Sequence, residues 1–168
     1  MTPLLFATVW FSLTLFVVAE IGKRRLFEGR DATGFWWLSA AGFAMGVVHV
    51  FLALWINNDW DHTVAWRVTE ERTREMFGFG WGGLLVGNYA FLTYWALDLW
   101  RWKRNPAAYA ATTPLVLWGG RAFVLGIIAP AAIVFAAGPR HWIGAILVAA
   151  MLVSWLSTPT RAPDHPNT

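Results

Sequence analysis

Five stretches of this chain run almost without charge: residues 3–19, 34–56, 80–100, 114–137 and 141–157. Between them they carry one acidic residue, Asp98, and one basic residue, Arg121. Each is close to the roughly 17 to 25 residues with which an α-helix crosses a hydrocarbon core. A soluble fold of this size has no core large enough to hide so much apolar surface. At 57% apolar and 14% charged residues, the composition is also the opposite of a disordered chain. No stretch sustains the period-2 alternation of a transmembrane β-barrel. Backbone in hydrocarbon must satisfy its own hydrogen bonds, so the five stretches are expected to be helices. The predicted fold class is all-α: an integral membrane bundle of five transmembrane helices in one domain over 1–157, with a flexible cytoplasmic tail at 158–168.

The basic residues give the bundle a direction. Loop 20–33 carries Lys23, Arg24, Arg25 and Arg30, loop 101–113 carries Arg101, Lys103 and Arg104, and the tail carries Arg161. The other side holds Arg67, Arg72, Arg74 and Arg140, diluted by Asp59, Asp61, Glu70, Glu71 and Glu75. The positive-inside rule then sets the N-terminus outside and the C-terminus in the cytoplasm, as expected in a bacterial inner membrane. The first stretch lacks a basic region before it and a small-residue cleavage site after it, so it is expected to be retained as a helix. The same basic clustering at helix ends argues against nucleic acid as a partner. Ten of the 13 Trp fall near the two ends of the stretches, where an indole prefers the headgroup level. The lipid bilayer is therefore the expected partner, with other membrane subunits a further possibility.

Residues 62–77 have the pattern of a surface helix. Asp61 is a candidate N-cap, and Arg67 with Glu71 and Glu70 with Arg74 stand four residues apart on one face. The opposite face carries His62, Trp66, Thr69, Thr73, Met76 and Phe77. An amphipathic helix lying across the outer end of the bundle is predicted, followed by a glycine-rich return into the third span.

Few polar residues lie within the spans, and these carry the candidate chemistry. Ser39, Gly42, Gly46, His49 and Ala53 share one face of the second span. The Gly42–Gly46 pair lets another backbone approach, so His49 is expected to face protein, about 10 Å from the outer end. It is read either as a metal, haem or proton ligand or as a buried imidazole bonded to a neighbouring helix. Asn88 and Tyr89 reach a similar depth in the third span, where an amide either completes a site or glues two helices. With His62, Trp66 and Thr73 they outline an outer-side pocket. His49 and His62 are its candidate metal ligands, and a b-type haem between His49 and His141 is geometrically conceivable. With no Cys, any metal site is limited to imidazole and oxygen ligands. The spacing matches no established metal motif. At the inner side stand Glu20, Asp98 and Arg121. An Asp98–Arg121 ion pair locking two helices is expected, with an anion or quinone-headgroup site as its functional counterpart. Pro130 is expected to kink the fourth span.

The Trp content and five spans resemble, in composition, the tryptophan-rich sensory or translocator proteins. That family's Trp/Pro-rich first loop is replaced here by the basic Lys23–Arg30 loop, so its ligands are not carried over. Over residues 34–102, His49, Trp60-Asp61-His62, Trp81-Gly82-Gly83, Asn88-Tyr89 and Trp100 form a pattern similar to small multi-span bacterial membrane proteins. That resemblance implies no activity. The expectation is a membrane binding module whose outer pocket takes a metal ion, haem or a small lipophilic ligand. The alternatives are a structural accessory subunit of a larger complex, and a membrane enzyme or redox component using His49 or His62.

Overall fold

The computed structural model describes residues 2–134 and 140–157. It is 86% helix, with no strand among the described residues. The elements are α1 (Pro3–Gly22), α2 (Arg24–Phe27), α3 (Thr33–Asn58), α4 (His62–Phe77), α5 (Leu84–Arg104), α6 (Pro106–Ala110), α7 (Pro114–Ala129) with a π-helical turn at Pro130–Val134, and α8 (Arg140–Leu156). The segment 135–137 of the expected fourth span and the tail 158–168 lie outside the described residues.

Three helical segments are long and apolar enough to cross a membrane: Pro3–Phe27, Thr33–Asn58 and Pro114–Ala132. They belong to a protein that would contact lipid along its sides. Helix α5 has the length but carries Asn88 and Asp98 and ends on Arg101, Lys103 and Arg104. Helix α8 is apolar but shorter.

The five long helices form a closed ring. Contacts run from α1 to α3, α3 to α5, α5 to α7 and α7 to α8, and α8 returns to α1. Small residues set the closest approach. A Cβ at Gly42 would stand 3.0 Å from Leu15 and 3.2 Å from the Trp95 ring, and one at Gly46 would stand 3.0 Å from the Ser12 hydroxyl. Ser12 donates to the Gly42 carbonyl at 2.8 Å, which fastens α1 to α3. Trp95 fills the middle of the ring. Its indole meets Phe16 edge-on at 4.7 Å and Phe43 at 5.8 Å, and its Nε1 donates to the Ser39 hydroxyl at 2.9 Å. Val124, Ile128, Val148 and Met151 complete the core from α7 and α8.

Between α3 and α4 the chain reverses through Asp59 (φ 46°) and Trp60 (φ 63°), two successive left-handed residues that are not glycine. Such a pair is strained and needs support. The Trp60 N–H donates to the Leu54 carbonyl at 3.0 Å, and the indole lies against Phe51. Asp61 then caps α4, accepting from the backbone N–H groups of Thr63 at 2.7 Å and Val64 at 3.4 Å. These bonds hold its carboxyl below the ordinary aspartate range near 3.8. The depressed value means that the cap stabilises α4 fully above that range and is lost as pH falls through the lower folded value. Protection of the Thr63 and Val64 amides, taken against the intrinsic exchange rate at each pH, is expected to fall only under that acidic condition. In Asp61→Ala it is expected to be lost at neutral pH as well.

The inward face of α4 differs from the sequence expectation. Ala65 and Thr73 are buried, whereas His62 and Trp66 are exposed. Thr73 is the reason: its hydroxyl accepts from the Trp81 N–H at 2.7 Å, pinning the return loop against α4. Trp66 lies over Gly82, where any side chain would overlap the indole. Of the two expected ion pairs, Glu70–Arg74 forms at 2.7 Å and Arg67–Glu71 does not, as suits exposed pairs of little energy. The side chains of Met76 and Phe77 lie outside the described set. Because the loop holds Gly80 to Gly83, α5 begins at Leu84, later than the expected 80.

The α-helical part of α7 ends at Ala129, directly before Pro130. Pro130 has no N–H to donate, and the chain widens into the π turn. Helix α8 packs tightly on that turn, because a Cβ at Gly144 would overlap the Ala132 carbonyl. Gly144→Ala is therefore expected to destabilise the bundle by about 1–3 kcal/mol, the scale of an overpacked contact. Nothing lies within 4 Å of a Cβ at Gly126. Thermal unfolding in detergent should show Gly126→Ala close to the parent and Gly144→Ala well below it.

Candidate functional site

Four ionisable side chains are buried together at the end of the ring that carries α2 and α6: Glu20, Lys23, Asp98 and Arg121. They come from α1, the α1–α2 junction, α5 and α7. Lys23 bridges the two carboxylates, pairing with Glu20 one turn earlier on its own rod and with Asp98 Oδ2 at 2.5 Å across the bundle. The remaining carboxylate oxygens are also occupied. Tyr109 donates its hydroxyl to Asp98 Oδ1 at 2.7 Å, and Trp155 Nε1 donates to Glu20 Oε2 at 3.1 Å. Burial pushes the Tyr109 phenol well above its ordinary 10, so it remains a donor at neutral pH. The Lys23 ammonium also faces the rings of Trp102 and Tyr109 at 5.4 and 5.6 Å. Every oxygen of the two carboxylates is thus paired, the condition under which a buried ion cluster persists.

Arg121 is provided for differently. It is 6% exposed, yet among the described residues it makes one hydrogen bond, to the Trp155 carbonyl at 3.2 Å, and no ion pair. Its guanidinium lies between the rings of Trp118 (4.8 Å) and Trp155 (5.5 Å). A guanidinium has five N–H donors, so most of its capacity is unspent. It lines a crevice with Glu20, Lys23, Tyr94, Tyr109 and Trp155, whose free interior of about 20 Å³ is that of one water molecule.

The expected Asp98–Arg121 pair is not formed. Asp98 pairs with Lys23, because α1 and α2 form one continuous rod that carries the ammonium to α5. By sequence Lys23 is one of four basic residues of loop 20–33. The Glu20–Lys23 spacing of three residues was its one legible sign. Tyr109 carried no signal in a short polar loop.

At the other end of the ring the candidate residues are spread out. His49 Nδ1 shares a hydrogen bond with the Thr8 hydroxyl at 3.0 Å, which places it in the α1–α3 contact. Asn88 is exposed and makes no bond to His49. Tyr89 has its hydroxyl buried without a partner, and its ring lies 6.2 Å from that of His62. Thr73 is committed to Trp81, and Trp66 to Gly82. His141 lies beside Trp142 at 4.8 Å. Among the described residues, no three His, Asp or Glu side chains converge as a metal site requires. Compared with protein-family models, with curated proteins and with solved structures, the chain finds no match.

Proposed function

We propose that the protein is a five-span binding module of the bacterial cytoplasmic membrane. Its site would be the crevice beside Arg121, which takes the hydrogen-bond-accepting headgroup of a small lipophilic ligand. The observation that carries this reading is the buried guanidinium with one acceptor bound. A buried cation with unspent donors is costly unless acceptors reach it, and an ionisable group at membrane depth is a functional site by default. The neighbouring triad is already satisfied and serves as the rigid wall against which a carbonyl or carboxylate would be aligned. The crevice admits only the tip of such a group, so the apolar body would lie along α7 and α8 in lipid.

In this reading α5 and α8 are the two remaining spans. At the α-helical rise, 21 residues cover roughly 31 Å and 17 cover roughly 25 Å, against a hydrocarbon core of about 30 Å. The basic end with α2 and α6 faces the cytoplasm, and α4 lies outside. The chain contains no cysteine, so single cysteines report topology directly. An impermeant maleimide applied to intact cells is expected to label Asp59→Cys and Arg72→Cys and to spare Arg30→Cys and Asn105→Cys. The reverse pattern overturns the orientation.

For the site, a short-chain ubiquinone and decanoate are the probes. Saturation at about 100 times Kd should stabilise the purified protein by about 2.7 kcal/mol. Arg121→Leu should abolish the gain. A parent protein unmoved by both probes sinks this reading and leaves the cluster as a helix clamp.

A second reading, an accessory subunit, has its own support. Gly119, Ala122 and Gly126 form an exposed small-residue stripe on α7, open to a neighbouring helix. Loss of a co-purifying membrane partner in Gly119→Leu/Gly126→Leu would favour it.

A further inference from the structure

At the corner where α5 turns into α6 there is a second concave surface, which shares only Tyr109 with the Arg121 crevice. It is a groove of about 240 Å³ lined by Trp100, Arg101, Arg104, Asn105, Ala108 and Tyr109. Two of these six side chains are guanidinium groups and none is a carboxylate. Arg101 and Arg104 stand three residues apart, so both project from one face of the last turn of α5. Neither makes an ion pair among the described residues. Each is instead held against an aromatic face: Arg104 over Trp100 at 5.0 Å and Arg101 over Tyr109 at 5.9 Å. Tyr109 is itself fixed by its bond to Asp98, so that wall is rigid. Stacking of this kind orients a guanidinium while leaving its N–H fork available; Arg101 spends one N–H on the Thr112 hydroxyl at 3.4 Å, and its other donors and those of Arg104 face the groove. Asn105 Oδ1 is occupied by the Ala108 N–H at 3.0 Å and does not oppose an anion in the groove.

From this geometry we infer that the α5–α6 corner is a phosphodiester site, occupied by the headgroup of an anionic phospholipid. Two planar forks without a competing carboxylate match phosphate oxygens, as a pair of ammonium groups would not. The position selects the lipid as the source of that phosphate. This rests on the reading of α5 as a span with its basic end in the cytoplasm: Trp100, 54% exposed near that end, then sets the groove where headgroups meet hydrocarbon. Basic pockets at the cytoplasmic end of membrane helices take anionic headgroups in this manner.

The test uses the full chain in nanodiscs of equal phosphatidylglycerol and phosphatidylcholine, with native mass spectrometry of the lipids that remain bound after release. The parent is expected to retain phosphatidylglycerol preferentially. A direct charge-assisted contact to phosphate contributes roughly tenfold, beyond the general attraction of any cation to an anionic surface. Arg101→Gln/Arg104→Gln should therefore lower the preference by roughly 100-fold. Arg25→Gln/Arg30→Gln removes the same charge from the same end outside the groove, and should leave most of the preference intact. Trp100→Leu keeps the net charge but unseats Arg104, and should lower the preference partway. Equal losses in the two double variants, or no preference in the parent, overturn the site. Displacement of the lipid by inorganic phosphate at constant ionic strength shows that free phosphate is the occupant and overturns the assignment to lipid.

Discussion

Replacing Lys23 by methionine is expected to destabilise the bundle by about 3–5 kcal/mol, the cost of removing one partner from a buried ion pair. The methionine conserves most of the volume, so the loss is electrostatic. Glu20 and Asp98 would be left facing each other at the centre of a four-helix junction. Tyr109 and Trp155 would still donate one hydrogen bond to each carboxylate. Neither donor is charged, so only Arg121, which shares the cluster without an ion pair, would oppose the two carboxylates. The double replacement Lys23→Met/Asp98→Leu removes one cation and one anion together. It should recover most of the loss, because well-packed apolar groups often substitute for a buried pair at little cost. Equilibrium unfolding in detergent of the two singles and the double forms a thermodynamic cycle. A coupling near zero would mean that Lys23 and Asp98 do not share one charge network.

Trp95→Ala is the second large effect, expected at about 3 kcal/mol. This is the low end for deleting a buried aromatic side chain. The reason lies in the solvent. When the alternative surroundings of an indole are lipid rather than water, transfer from water contributes little, and lost packing contacts make up the cost. Trp95 touches Phe16, Phe43 and Phe91 from three helices, and its removal leaves a cavity at the meeting point of α1, α3 and α5. Ser39→Ala separates the hydrogen bond from the packing. It keeps the whole indole and loses only the acceptor of its N–H, and should cost about 0.6 kcal/mol, as interhelical hydrogen bonds in membranes do on average. Heat denaturation of both variants, read by helical circular dichroism and by aggregation onset, gives the ordering. Equal effects would mean that the bond to Ser39, not the ring, carries the contribution of Trp95.

The helices were legible from single residues. Asp61 with the amphipathic run after it marked α4 at 62–77, and the Gly42–Gly46 spacing marked the face on which α1 and α5 dock. These signals are local: a cap and a spacing each act within one or two turns of the chain. The inner polar group was half legible. Glu20, Asp98 and Arg121 stood out because so few charges lie within the apolar stretches. Their pairing did not, because it depends on which helix lies beside which. Lys23 looked like one of several loop cations, and Tyr109 like an ordinary loop aromatic.

At the α4 end the limit is the opposite one. His49, Asn88 and Tyr89 share a depth, but depth along an axis does not fix rotation about it. The structure turns His49 towards Thr8 and leaves Asn88 exposed.

The sequence by itself determined the class of solvent and the run of helices, because apolar length and charge placement are read residue by residue. It also restricted the polar chemistry within the apolar stretches to a handful of side chains. Only the tertiary structure decided that α8 closes the ring against α1, bringing Trp155 to Glu20 across 135 residues, and that Lys23 rather than Arg121 neutralises Asp98. The physical reason is that an ion pair is settled by the few ångströms between side chains. Those distances follow from how helices rotate and pack, and hydropathy carries no record of that.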